Sequence, residues 1–180
     1  IGVTTTEAIG VMLAINTIKS DTNAYVGDNS ADDPSAPLAA GFSPLVNPAS
    51  TVAGSYSVSA TDSGDIQSAA FTLQIATDGS GAGAAAAINN TDTSPTASIS
   101  GAAISATDLL VQANAQNTIQ TLAMGFAGGG DGALAGSAAT GTISDSPRAL
   151  IQSGAIIDAA NNAGVIAGNS DVIETIAGAA

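Results

Sequence analysis

The 180-residue chain contains no cysteine, no histidine and no tryptophan. Without cysteine it can form no disulfide framework, no thiolate metal site and no cysteine nucleophile. Without histidine it lacks the commonest general base and the commonest zinc ligand. Hydroxyl side chains such as those of Ser57 and Ser59 therefore have no partner for the usual catalytic triad.

Positive charge is almost absent, because Lys19 and Arg148 are the only basic residues against fifteen acidic ones. Two cations cannot make a phosphate-binding surface, so we expect no nucleic-acid partner. The net charge of −13 also argues against binding to an anionic membrane. No apolar run approaches the roughly 20 residues that cross a bilayer, so we expect no membrane span.

The residues that remain are mostly small, and 45% of the chain is apolar with a mean hydropathy of +0.34. Isoleucine, valine and leucine recur along the whole length, which indicates a folded rather than a disordered chain. Few lysines, no cysteine and many small polar residues are typical of an extracellular protein. The chain has no basic leader and begins at Ile1, which we interpret as a processed end or an excised segment.

An internal repeat organises the sequence. A set of four apolar residues with fixed internal spacing begins at Val58, recurs from Val111, and recurs again from Val165, at nearly equal intervals. Shorter matches relate Ala14–Asn16 to Ala87–Asn89. The three sets are Val58, Ala60, Ile66 and Ala70; Val111, Ala113, Ile119 and Ala123; and Val165, Ala167, Ile173 and Ala177.

The repeat divides the chain into a partial first repeat over 1–27, an insertion over 28–55, and further repeats over 56–127 and 128–180. The insertion carries Asp32, Asp33 and four of the six prolines. Because proline cannot donate to a strand ladder, we expect the insertion to leave the regular structure as a surface loop. It is either a tolerated insertion or a binding excursion.

The same repeat decides between helix and strand. Alanine permits helices over Leu109–Met124 and after Pro147. Tyr56–Ala60 alternates as a half-buried strand does, and equivalent positions of a repeat share one conformation. We therefore predict an all-β parallel β-helix, or β-solenoid, built from repeats of about 53 residues. Each unit would hold two or three coils of roughly 18–25 residues, with Ile and Val stacked inside and Gly and Asn at the corners.

Three Gly/Ala-rich segments resemble those of filamentous-haemagglutinin-like adhesins. These segments are Glu7–Asn16, Gly81–Asn89 and Gly132–Ser137, and Ala97–Ile99 and Val111–Ala113 match the segments that follow in that family. The resemblance covers most of the chain outside 28–55. It implies a right-handed parallel β-helix rod that is exported by two-partner secretion and displayed on a bacterial surface. It carries over no binding residue.

Two groups of oxygen-bearing side chains are candidate sites. Asp62 with Asp65 could bind calcium or serve glycoside hydrolysis as a carboxylate pair. The second group is Asp28, Asn29, Asp32 and Asp33. Neither group has calcium-loop spacing, so we interpret both as turn residues that bond their own backbone. We assign no catalytic, cofactor-binding or metal-ligating residue, and expect no cofactor, with calcium left as the one conceivable ion.

Two further motifs, one rich in glycine and one rich in asparagine, are equally weak evidence for a functional site. Gly128–Gly132 lacks the Lys-Ser/Thr of a phosphate-binding loop and is interpreted as a flexible corner or a seam between repeats. Asn89–Thr91 is a glycosylation acceptor by pattern alone.

The leading functional hypothesis is a non-enzymatic structural segment of a secreted bacterial surface filament or adhesin, acting as a rigid spacer. Its partners would be neighbouring repeats or other copies of the chain, with a host or cell-surface receptor or glycan also conceivable. One alternative is a self-assembling subunit of an extracellular fibre or surface layer, with 4–18 as a donated strand. A weaker alternative is a carbohydrate-active β-helix enzyme that uses Asp62 and Asp65.

Overall fold

The computed structural model describes residues 2–4, 6–27, 49–51, 54–152 and 154–180. In these ranges the regular secondary structure consists of β-strands, and no helix long and apolar enough to cross a membrane is found there. The strands are β1 Gly2–Thr4, β2 Glu7–Ser20, β3 Asn23–Gly27, β4 Ala49–Thr51, β5 Ser55–Ala76, β6 Ser80–Thr93, β7 Thr96–Ser100, β8 Ala103–Gly129, β9 Gly132–Asp145, β10 Arg148–Ile151 and β11 Ile156–Ala179.

The strands form three sheets in which every pairing is parallel. The middle sheet has the order β2-β6-β9, and the short sheet has the order β3-β7-β10. The long sheet has the order β1-β5-β8-β11, with β4 also paired to β8. From β2 onward the chain passes through the middle, short and long sheets in that order three times. All-β structure with parallel sheets, as predicted, is therefore confirmed.

The register between paired strands of the long sheet agrees with the spacing of the repeat in the sequence. Val111 of β8 pairs with Val58 on one side and with Val165 on the other. In the middle sheet, partners on β6 and β9 keep nearly the same separation along the chain, as the pair Ser80 and Gly132 illustrates. Partners on β2 and β6, such as Glu7 and Ser80, are farther apart in sequence because the insertion lies between them. Successive strands within one passage belong to different sheets and do not pair with each other. The predicted subdivision of each repeat into two or three shorter coils was therefore wrong.

The reason for this error is visible inside the long strands. Clusters such as Asn89–Asn90 predict corners, yet Asn89 lies within β6. The two helical candidates are also strands, since Leu109–Met124 lies within β8 and Arg148 begins β10. Real corners occur at Gly27, Gly101 and Gly154, where φ is 93°, 62° and 80°. These left-handed conformations favour glycine.

Side chains that point inward from the middle and short sheets meet those of the long sheet in two apolar clusters. The cluster beneath the short sheet contains branched residues, among them Ile99, Ile104 and Val111. The cluster beneath the middle sheet consists of alanines alone, Ala70, Ala85, Ala87 and Ala123. Because these side chains are small, the two sheets come close together at that end.

Two segments from the sequence analysis need separate mention. Of the predicted insertion, Asp32 and Asp33 lie outside the described residues, whereas β4 pairs with Ala103–Ser105 of β8. The proposed donated strand, 4–18, is largely contained in β2, which pairs with β6 of its own chain from Glu7 to Ser20. That segment is therefore an integral strand here, which corrects the donated-strand hypothesis.

Candidate functional site

The predicted carboxylate pair is divided between two surfaces. Asp62 points inward, is buried, and accepts a 3.0 Å hydrogen bond from Thr22 Oγ1. Asp65 points outward, where its carboxylate accepts a 3.3 Å hydrogen bond from Gln67 Nε2. Both lie within β5, and residues three apart in a strand face opposite sides. They are therefore not turn residues, and they cannot act on one substrate or ion together.

Of the other predicted motifs, one lies outside the described residues and one is a connection between sheets. Asp28, Asn29, Asp32 and Asp33 lie outside the described residues. Within the described ranges, no three acidic side chains gather closely enough to hold a metal ion. The Gly128–Gly132 segment spans the end of β8, a short turn and the start of β9, so it connects the long sheet to the middle sheet.

The glycosylation motif is part of the interior. Asn89 is 1% exposed, and its side-chain nitrogen donates 2.6 Å hydrogen bonds to Ser68 Oγ and to Thr121 Oγ1. Its carbonyl oxygen accepts a 2.9 Å bond from Asn16 Nδ2. The side chain is therefore a buried link between the middle and long sheets, inaccessible to modification in the folded chain.

Sequence reasoning missed a layer of buried polar side chains between the two apolar clusters. Asn117 Nδ2 donates to Thr93 Oγ1 at 3.1 Å and to the two carboxylate oxygens of Asp145 at 3.0 and 2.8 Å. Strand alternation could have found this layer, because Asn117 and Thr121 share the parity of the inward-facing Val111. Such a layer fixes the alignment of two facing sheets, since buried polar groups require their partners.

Two carboxylates approach each other in the last passage of the chain. Asp171 accepts hydrogen bonds from the Asn117 backbone N–H at 3.3 Å and from Asn169 Nδ2 at 3.0 Å. Desolvation, followed by the hydrogen bond and the charge of Asp145, raises the pKa of Asp171 above its ordinary value of 3.8, and the bonds from Asn117 and Asn169 oppose the rise. Asp171 therefore takes up a proton more readily than a free aspartate does.

The outer surface of the long sheet is largely polar along its first two thirds. Side-chain bonds cross its strands, such as Gln112 Nε2 to Ser59 Oγ and Gln120 Nε2 to Glu174 Oε2, both 3.0 Å. A shallow depression of about 490 Å³ on this surface contains one carboxylate, that of Asp65. This geometry provides hydrogen-bonding groups but no acid–base pair.

The outer surface of the middle sheet is apolar instead. Ile9 and Val11 of β2 are each 75% exposed, and Leu13 and Ile15 are 56% and 60% exposed. An exposed apolar surface of this kind marks contact with another molecule more often than chemistry.

The last strand, β11, is uncovered along its inward face. Val165 and Ile173 are 48% and 47% exposed, whereas their strand partners Val111 and Ile119 are completely buried. The difference arises because β8 is paired on both sides and β11 on one. The outer edge of β11 thus presents apolar side chains, together with backbone groups that pair with none of the described strands.

Comparison with protein-family models, with curated proteins and with solved structures finds no match to this chain.

Proposed function

We propose that this chain is a structural module of a secreted bacterial surface filament or adhesin, in which it forms a section of parallel β-helix and acts as a rigid spacer. One observation carries the proposal: three passages through the same three sheets place Val58, Val111 and Val165 in one ladder. A chain that returns to the same sheets in the same order winds as a helix, with one sequence repeat to each coil.

Stiffness follows from the contacts between coils. Each coil is joined to the next by parallel ladders in all three sheets and by side-chain bonds such as Asn162 Nδ2 to Asp108 Oδ1, at 2.9 Å. Neighbouring strands are spaced about 4.8 Å apart, so the length of the rod grows by that amount with each coil. Stability is then a sum over neighbouring coils, which suits a spacer of adjustable length.

The resemblance of 7–16, 81–89 and 132–137 to filamentous-haemagglutinin-like adhesins supports export and display at a bacterial surface as parts of the same proposal. The partners of the spacer would be adjoining coils at its two ends. The uncovered side chains of Val165 and Ile173 are the contacts that an adjoining coil would bury.

Joining one, two and four copies of the chain in tandem tests the spacer. We expect the dimension along the coil axis, measured by small-angle X-ray scattering and electron microscopy, to grow linearly by about 14 Å per copy, from three coils of about 4.8 Å. The dimension along the strands, about 90 Å for the 27 residues of β8, should stay constant. A matched tandem with long glycine–serine linkers should not lengthen in this way, because flexible chains scale with the square root of length. An unchanged dimension along the coil axis, or a helical circular-dichroism spectrum, would refute the proposal.

A second candidate is a subunit that assembles end to end. The specific observation in its favour is that, among the described strands, β11 is paired only to β8 and β2 only to β6, so each has an open edge. Such edges accept strands from another copy. No observation favours the carbohydrate-active alternative, since Asp62 and Asp65 lie on opposite faces.

The two candidates separate by experiment. A subunit should form filaments that sediment from solutions of the 180-residue chain, and Ile173→Lys should block them because an adjoining coil would bury Ile173. The matched variant Val172→Lys, on the outward side of the same strand, should still assemble. If no filament forms at any concentration while tandem copies lengthen, the subunit hypothesis fails and the spacer stands.

A further inference from the structure

The outer surface of the middle sheet carries a contiguous patch that the spacer proposal leaves unused. We call it the aliphatic face, defined as the outward side chains of residues 9–15 of β2, 82–88 of β6 and 134–140 of β9. None of its side chains is charged, although the chain holds two basic and fifteen acidic residues. Its large side chains are all exposed, namely Ile9, Val11, Leu13, Ile15, Ile88 and Leu134.

The aliphatic face has a raised part and a low part. Ile9, Val11, Leu13 and Ile15 make a ridge along the edge strand β2. The next two strands carry small residues at the middle positions, because Val11 is in register with Ala84 and Gly136, and Leu13 with Ala86 and Ala138. A shallow groove, which we call the lane, therefore runs beside the ridge and parallel to it, and its base consists of alanine and glycine residues.

From this shape we infer that a second copy of this chain docks on the aliphatic face. In the dimer that we propose, the two aliphatic faces lie against each other and are related by a two-fold axis. This axis runs parallel to the strands, between the ridge and the lane, and therefore places the ridge of each copy over the lane of the other. Such a contact is isologous, with the same surface used on both copies, as in most homodimers. Val11 of one copy would then lie over the Ala84–Gly136 row of its partner.

The available area fits this occupant. Six large side chains offer on the order of 100 Å² each, and the small residues between them add a few tens of Å² each. The total, on the order of 800 Å² per copy, is close to what a stable protein–protein contact buries. This estimate concerns the face alone and does not depend on the spacer proposal.

Charge also favours a second copy over a lipid surface. Glu7, Asp78 and Asp131 are exposed at the end of the sheets beside the aliphatic face, and anionic headgroups would repel them. Two copies can instead meet through a neutral surface while their carboxylates remain in solvent. Because the remaining interaction between two chains of net charge −13 is repulsive, added salt should strengthen the pairing.

Sedimentation velocity of the full 180-residue chain over a concentration series tests this contact. We expect a monomer–dimer equilibrium that shifts toward dimer with salt, and a dissociation constant at least tenfold higher for Val11→Lys. The control is Thr17→Lys, which adds the same charge at an exposed outward position of the same strand, beyond the face. Circular dichroism of both variants must keep the β-sheet signal of the parent chain.

A cross-linking experiment identifies the surface directly, since the chain has no cysteine of its own. Chains carrying Val11→Cys are mixed with tagged chains carrying Ala84→Cys and treated with a short bis-maleimide. If the ridge of one copy lies over the lane of the other, chains with Val11→Cys should cross-link to chains with Ala84→Cys. Control chains with Ser57→Cys, a position on the outer surface of the long sheet, should cross-link to them less often.

Several results would overturn the inference. These are a monomer at every concentration, equal effects of Val11→Lys and Thr17→Lys, or dimers that Val11→Lys leaves intact and Ile173→Lys abolishes. Binding to phosphatidylcholine vesicles that Val11→Lys removes, without self-association, would assign the face to lipid. If two copies do not pair through the aliphatic face, tandem copies should still grow along the coil axis. The spacer proposal is therefore tested independently of this dimer.

Discussion

The side-chain nitrogen of Asn89 lies 2.6 Å from the hydroxyl oxygen of Thr121, so a residue of the middle sheet is hydrogen-bonded to a residue of the long sheet through the interior. The same nitrogen reaches Ser68, and Asn16 donates to the oxygen, so one amide joins residues from successive passages. The interior is therefore held by directional bonds as well as by apolar contact.

Replacing Asn89 with alanine should lower the free energy of unfolding by about 1–3 kcal/mol, because buried hydroxyls then lose their partner. The matched control is Asn90→Ala, whose side chain points outward from the same strand and which should change stability by less than about 0.5 kcal/mol. Urea unfolding followed by circular dichroism measures both. Equal effects of the two substitutions would contradict the inward role of Asn89.

Ile66, Ile119 and Ile173 are paired with one another across three strands, and replacing one of them with alanine should lower the free energy of unfolding in proportion to its burial. Ile119 is completely buried between Ile66 and Ile173, so Ile119→Ala should cost about 2–5 kcal/mol. Ile173 is 47% exposed, and Ile173→Ala should cost less than half as much. Thr118→Ala, outward beside Ile119, is the control, and denaturant unfolding is again the measurement. Equal costs for Ile119 and Ile173 would mean that the ladder is not arranged as described.

A methyl group added at Gly83 should force the two close sheets apart. Its Cβ would lie 2.6 Å from the carbonyl oxygen of Phe126, a backbone atom that cannot turn away. We expect Gly83→Ala to destabilise the chain by about 1–3 kcal/mol. Gly128→Ala is the control, because a Cβ there meets nothing within 4 Å, and it should be neutral or slightly stabilising. Thermal unfolding compares the two, and an unaffected Gly83→Ala would show that the sheets are farther apart.

The raised pKa of Asp171 makes a contribution to stability that depends on pH. A carboxyl with a higher pKa in the folded chain holds its proton more readily when folded, so its contribution is fully present below pH 3.8 and is lost as pH rises through the folded pKa. Asp171→Asn should remove this loss and raise stability at neutral pH. The gain should be below about 1 kcal/mol, because the carboxyl is largely exposed.

Asp131→Asn makes the same change of net charge at a turn and serves as the control for Asp171→Asn. Denaturant midpoints measured from pH 3 to pH 7 should change their slope in the Asp171 variant alone. An identical change in both variants would assign the effect to overall charge rather than to the contact with Asp145.

Much of the strand register was predictable from the sequence. The similarity of Ala14–Asn16 to Ala87–Asn89 coincides with their pairing in β2 and β6, and Val58, Val111 and Val165 pair as their spacing indicates. These equivalences are predictable because stacked positions share one environment and so share one residue type. The same reasoning favours strand over helix at Leu109–Met124, in spite of its alanines.

The way in which the chain between two paired positions is divided into strands was not predictable in the same way. Glycine and asparagine ordinarily mark turns, but here Gly83 permits a close approach of sheets and Asn89 bonds across the interior. The aliphatic face was hidden for a related reason. In β2 the inward and the outward positions are both apolar, as Met12 on the inward side and Val11 on the outward side show. The alternation of residues therefore does not indicate which side of the strand faces solvent.

The position of β8 between two partners has a consequence for how the molecule opens. Its backbone amides bond on both flanks, to β5 and to β11, whereas those of β11 have one neighbour. Opening should therefore begin at the margins and move inward, so that the central passage exchanges its amide protons last. In the rod that we propose, a break at any point would then expose fresh margins, and each fragment would unravel from its own new ends.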